Sequence, residues 1–147
     1  MGLFDSLFGG MERNSKLSSQ EAFAGILMGA SACDGHIAED EVSGLITTLV
    51  RMKLYQRFTD KQYNDMLNRL FGIIKKKGVD FLMDGCAEGL PAELRETAFA
   101  NACDLILADG VVEDDEKEFI EKLGKRLEID RAIAKEIAQV MVIKNKG

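Results

Sequence analysis

The chain has 147 residues, of which 46% are hydrophobic and 30% charged, with a formal net charge of −6. That apolar content excludes an intrinsically disordered chain, and the acidic balance excludes nucleic acid as a general partner, because phosphate binding needs a basic face. A single proline, no tryptophan and 7% aromatics fit long uninterrupted helices better than a sandwich of short strands, so an all-α fold in one domain is expected.

Three cysteines, Cys33, Cys86 and Cys103, show no CxxC spacing. They suggest neither a disulfide framework nor a thiolate zinc site, and point to the reducing cytoplasm. No apolar stretch approaches the ~20 residues of a membrane span, and no charged region precedes an apolar one as in a signal peptide.

Residues 1–17 read as an amphipathic N-terminal segment ahead of a helical domain over 18–147. Leu3, Phe4, Leu7 and Phe8 stand at helical spacing and stop at Gly9-Gly10. Two readings stay open: a peripheral membrane contact through these side chains, or a tail that docks on the domain or stays disordered, since so short a helix is marginal alone. Met1-Gly2 with Ser6 also fits the loose myristoylation pattern.

Ser18 with Glu21 has capping-box spacing ahead of Phe23, Ile26, Leu27 and Ala30, predicting a helix over about 19–33 that ends at Asp34-Gly35. A second helix, about 39–52, opens with Glu39, Asp40 and Glu41 and buries Val42, Leu45, Ile46 and Leu49. Thr59 with Gln62 caps a third, which buries Tyr63, Met66, Leu67, Leu70, Phe71 and Ile74 and closes in Lys75-Lys76-Lys77-Gly78. A weaker segment follows from Val79 to Glu88. Pro91 stands where a fifth helix wants its first residue, with Leu94, Ala98, Phe99, Ala102, Leu105 and Ile106 inward. The sixth, about 114–127, turns Phe119, Ile120, Leu123 and Leu127 inward, and Asp130 caps a seventh carrying Ile133, Ile137, Val140 and Met141.

Ala32-Cys33-Asp34-Gly35-His36-Ile37-Ala38-Glu39-Asp40-Glu41 recurs 75 residues later as Leu107-Ala108-Asp109-Gly110-Val111-Val112-Glu113-Asp114-Asp115-Glu116. Each copy runs helix, Asp-Gly turn, aliphatic, acidic helix start, and Arg51 pairs with Arg126 at the same offset. The expected fold is a compact bundle of about seven helices with an internal pseudo-twofold repeat. If the copies pack about such an axis, Asp34, Glu41, Asp109 and Glu116 converge into a carboxylate cluster, with Asp40 and Asp115 as second choices. Such a cluster repels itself unless its carboxyls protonate or a hard cation sits among them, Ca²⁺ first, with Mg²⁺, Mn²⁺ or Zn²⁺ as alternatives. The competing reading is structural, because first-turn acids complement the helix dipole and Asp-Gly is a common turn. The spacing matches the second half of an EF-hand loop, yet loop positions one and three would be Ala30 and Ala32, or Leu105 and Leu107, none of which can ligate, so a conventional EF-hand is excluded.

These residues resemble the TerB-like tellurite-resistance family, whose mark is an Ala-Asp-Gly-aliphatic turn before an acid-rich helix start, present twice. Ala108 to Glu116 is the closer match; the first copy departs at Cys33. The resemblance covers residues 18–143. It implies a seven-helix fold, divalent-cation binding by the acidic cluster, and a cytoplasmic adaptor role beside other proteins of a stress or tellurite-resistance complex. Catalysis is not expected: His36 is the only histidine, and no phosphate loop or nucleophile set accompanies the carboxylates. The rival reading is a metal-independent protein-interaction module whose acidic stretch, Asp104 to Glu121, docks a basic partner. Cys33 and Cys103 are expected to pack as small hydrophobes, and Gly25 with Gly29 gives a spacing that lets helices approach closely.

Overall fold

The computed structural model describes residues 16–33, 39–108 and 110–147, without the side chains of 39–43. The expected segment at residues 1–10, the first Asp-Gly turn and Asp109 lie outside the described residues. Those described form seven α-helices and two short 3₁₀ turns: α1 (Ser19–Ala32), α2 (Glu39–Leu49), α3 (Asp60–Lys77), α4 (Val79–Gly89), α5 (Arg95–Leu107), α6 (Asp114–Arg126) and α7 (Arg131–Lys144), with 3₁₀ turns at Lys53–Tyr55 and Ala92–Leu94. No strand occurs among them.

α1 is apolar around its whole circumference, and a helix of that kind must be buried on every side. Phe23, Ile26, Leu27 and Met28 are all fully buried. The other helices wrap around it, with α2, α3, α4, α5 and α6 all touching it. Its start is fixed by the expected capping box: Glu21 N donates to Ser18 Oγ at 3.1 Å, and Ser18 N donates to Glu21 Oε1 at 3.1 Å. Glu21 also pairs with Arg69 of α3, so one side chain caps the central helix and ties it to a neighbour. Tyr55 is buried, and its hydroxyl donates to Gln20 O at 2.6 Å, which pins the α2–α3 connection to the first turn of α1.

Gly25 and Gly29 lie where α1 meets α4. A Cβ at Gly25 would collide with Cys86 Sγ, and one at Gly29 with the end of Met83. The small residues thus set the interaxial approach, as their spacing suggests.

Thr59 and Gln62 form the second expected capping box, with Gln62 N to Thr59 Oγ1 at 3.2 Å and Thr59 N to Gln62 Oε1 at 2.8 Å. α3 ends at Gly78, whose φ of 92° and ψ of 167° lie in a region that only glycine occupies readily. That conformation turns the chain directly into α4, which forms a complete helix where the sequence pattern was weak.

Several expectations are corrected. Phe71 and Ile74 are only partly buried, and α2 stops at Leu49 rather than 52 because a 3₁₀ turn follows. Pro91 precedes a 3₁₀ turn and α5 starts later, at Arg95. Asp130 stands at the N-cap of α7 with no side-chain capping bond. Ile133 and Val140, expected inward, are 39% and 55% exposed; α7 leans mainly on α5 and turns Ala134, Ile137, Ala138 and Met141 toward it. The smaller alanines let α7 sit close, which rotates the bulky stripe outward. Asp104, on α5, accepts from Lys144 Nζ at 3.1 Å and Asn145 Nδ2 at 2.8 Å, and so latches the end of α7.

α6 closes on Glu128, whose φ of 56° is left-handed without being glycine. Ile129 N donates to Gly124 O at 3.0 Å in the usual wrap of such a terminus, and Arg95 Nη1 reaches Glu128 Oε2 at 3.2 Å.

A Cβ at Gly78 meets no atom within 4 Å, so Gly78→Ala carries backbone strain alone. We expect it to lower stability by about 1–3 kcal/mol. Gly44→Ala and Gly72→Ala, mid-helix and equally open, should raise it by about 0.5–1 kcal/mol. Urea unfolding of the three variants checks both signs.

Candidate functional site

Among the described residues, two clefts line up charged side chains from separate helices. The first is a cleft of about 160 Å³ lined by Cys33 at the end of α1, Val79 and Asp80 of α4, and Asp115, Glu118, Phe119, Lys122 and Arg126 of α6. It exists because the C-terminal end of α1 packs on the first turns of α6; Phe119 lies against the backbone at Gly29. The residue just before the first Asp-Gly turn and an acid of the second copy's helix start therefore share one wall.

Most charges in this cleft are spoken for. Arg126 donates from Nε to Asp84 Oδ1 at 2.9 Å and from Nη2 to Asp80 Oδ1 at 3.0 Å, gathering two carboxylates one helical turn apart. Burial works against its charge, but those hydrogen bonds outweigh it and the guanidinium pKa is raised. Lys122 Nζ sits 2.9 Å from Glu118 Oε1, and that hydrogen bond raises its pKa. The Asp115 side chain makes no hydrogen bond or ion pair among the described residues.

Of the expected ligands, Glu116 is engaged locally. Its Oε1 accepts from Glu113 N at 2.9 Å while the Glu113 side chain accepts from the Glu116 N–H, a capping box built from two glutamates. Asp40 and Glu41 stand in the first turn of α2, and their side chains lie outside the described residues, as do Asp34 and Asp109. Gly110, just past the end of α5, adopts φ 79°, a left-handed conformation that glycine takes without a Cβ penalty. Among the described residues no group of three or more His, Cys, Asp or Glu side chains is placed to hold a metal ion.

The second feature is a groove of about 460 Å³ between α6 and α7, where both lean on α5. Phe99, Gly124, Ile129 and Ala134 are among the residues of its lining, and Glu121, Lys125, Arg131 and Lys135 are its charged residues. Sequence reasoning missed this groove, because it follows from the outward rotation of α7. It also missed Arg126 as a clasp, for which the only signal was its match to Arg51 at the 75-residue offset.

The thiols are packed as expected. Cys86 and Cys103 are buried, and burial pushes the Cys103 thiol up to about 12, with the Asp104 charge adding to it; Cys86 is raised further by the same cause. Cys33 is half-buried and its Sγ donates to Ala30 O at 3.3 Å.

No helix among the described residues is long and apolar enough to cross a membrane. In comparisons with known proteins, no family model, curated protein or solved structure matches this chain.

Thiolate is the reactive form of cysteine, so both buried thiols should stay inert to an aromatic disulfide reagent from pH 7 to pH 9 in the native state. A single fast equivalent is expected, from Cys33, and Cys33→Ser should abolish it. Rapid modification of Cys103 at pH 8 would contradict the packing.

Proposed function

We propose that this protein is a non-enzymatic, divalent-cation-binding adaptor of the TerB-like type, with Asp34, Glu41, Asp109 and Glu116 as ligands and Asp40 and Asp115 beside them. Ca²⁺ is the favoured cation, since hard oxygen donors suit it. The observation that carries this reading is the cleft in which Cys33, the residue before Asp34, and Asp115 line the same space. It supports an approach of the two acidic turns that the repeat alone leaves open.

Helix boundaries support it too. α1 ends at Ala32 and α5 at Leu107, while α2 begins at Glu39 and α6 at Asp114, each pair 75 residues apart. This agreement is what a duplicated helix–turn–helix unit would give. The Glu116 capping bond uses one carboxylate oxygen and leaves the other for a cation. In this reading the ion neutralises the clustered carboxylates, stiffens the two turns and sets the surface that a partner in a stress or tellurite-resistance complex recognises. The setting is cytoplasmic, in keeping with unpaired buried thiols.

A second reading rests on the groove between α6 and α7, which favours a metal-independent protein-interaction module. Its apolar lining has the character of a docking site for a helix or an extended segment.

Calorimetric titration of metal-free protein with Ca²⁺, alongside thermal melts, separates the two. We expect saturable binding that stabilises the fold by about 2.7 kcal/mol at a hundredfold excess over Kd, lost in the Asp34→Asn, Asp109→Asn double variant. Absence of binding by Ca²⁺, Mg²⁺, Mn²⁺ and Zn²⁺ would leave the interaction module as the reading to pursue.

A further inference from the structure

The corner where α3 turns into α4 combines two things that the rest of the described surface keeps apart: a run of cations and an aromatic ring held in water. Lys75, Lys76 and Lys77 close α3, all exposed, and Gly78 reverses the chain so that Phe81 in the first turn of α4 returns beside them. Lys77 Nζ lies 5.8 Å from the centre of the Phe81 ring, and Lys75 Nζ lies 5.2 Å from that of Phe71. Lysines at a helix C-terminus have a sufficient cause in the dipole. A phenylalanine that is 57% exposed does not.

The acids of α4 nearest Phe81 in sequence face Arg126 and not the lysines. Asp80 and Asp84, which share α4 with Phe81, both bond to Arg126, and Glu118 is held by Lys122. Lys75, Lys76 and Lys77 form no ion pair among the described residues. A chain with a net charge of −6 thus carries a local surplus of positive charge around a protruding ring: three lysines and Arg126 against Asp80 and Asp84 leave a net of two.

We propose that this corner is a docking surface for an anionic lipid bilayer, with Phe81 entering the interface between lysines that pair with lipid headgroups. Charge complementarity selects the occupant, and shape refines the choice. Phe81 stands in the first turn of α4, at the corner with α3, and lines neither of the clefts described above, so a rigid acidic protein would need a matching pocket, whereas a bilayer yields around the ring. Lysine stems suit this role, because their methylenes lie along apolar surface while the ammonium stays at headgroup level. Juxtaposed lysines bind anionic leaflets additively, with strong dependence on salt. The proposal stands independently of cation binding at the acidic turns.

Vesicle flotation of the full-length protein tests it, with phosphatidylcholine alone and with phosphatidylserine added. Binding is expected only to the serine-containing vesicles and should weaken as NaCl is raised. The triple variant Lys75→Gln, Lys76→Gln, Lys77→Gln and the single variant Phe81→Ser should each bind about tenfold or more weakly. Unchanged circular-dichroism melts show that both remain folded, as their exposure leads one to expect. Serine substitutions at Leu3, Phe4, Leu7 and Phe8 in the full chain separate the N-terminal segment: a lysine- and Phe81-dependent component must survive them. The proposal is overturned if serine-containing vesicles do not bind, if the corner variants bind like the parent, or if the N-terminal substitutions remove all binding. Lysine-dependent binding to a polyglutamate peptide without vesicle binding would also overturn it, assigning the corner to an acidic protein.

Discussion

A helix with no polar face cannot sit at a surface, and that constraint on α1 organises the molecule. Ten of its fourteen residues are buried. Five of the other helices are placed by which part of α1 they cover: α4 and α5 take the longest contacts, α3 and α2 close further sides, and α6 reaches only the C-terminal end. α7, leaning on α5, forms an outer layer and keeps an apolar outer stripe of Ile133, Val140 and Ile143 in water. Burial of α1 stabilises by the removal of its large side chains from water, at roughly 1.5–3 kcal/mol for each.

The polar contacts that hold this arrangement join elements far apart in sequence while using few groups. Glu21 caps α1 and binds α3, Tyr55 ties the α2–α3 connection to α1, Arg126 clasps two acids of α4, and Asp104 holds the end of α7. Each lies at an end of a helix, where unsatisfied backbone groups and chain reversals concentrate. The cleft that motivates the proposed cation site is the same kind of place: Cys33 at the end of α1 and Asp115 in the first turn of α6 line it, on helix termini whose positions the core determines.

Most of the fold was legible because its signals were local. Ser18 with Glu21 and Thr59 with Gln62 announce helix starts through bonds made within four residues, and both boxes are present. The periodicity of Phe99, Ala102 and Ile106 likewise marks a buried face. What failed depended on partners that a periodic pattern does not name. α7 carries two adjacent apolar stripes, and the pattern alone gives no reason for the alanine stripe to win over Ile133 and Val140; the reason is close approach to α5. Glu113 was not read as a cap because glutamate is a poor N-cap residue, and only the geometry shows it exchanging bonds with Glu116. For the site, the repeat identified which acids correspond. The proximity of Cys33 to Asp115 belongs to the packing of α1 on α6 and leaves no trace in spacing.

The close approach of α1 and α4 at Gly29 also makes Met83 an internal reporter. Its side chain is wholly buried and its terminal methyl abuts the backbone of α1, so the added oxygen of a sulfoxide has no room in the closed structure. Peroxide reaches the sulfur in molecules whose α1–α4 seam has parted, and because its attack is slow beside reclosing, the rate of Met83 oxidation reads the fraction of molecules in the parted state. Exposed methionines would report the reagent; this one reports the protein.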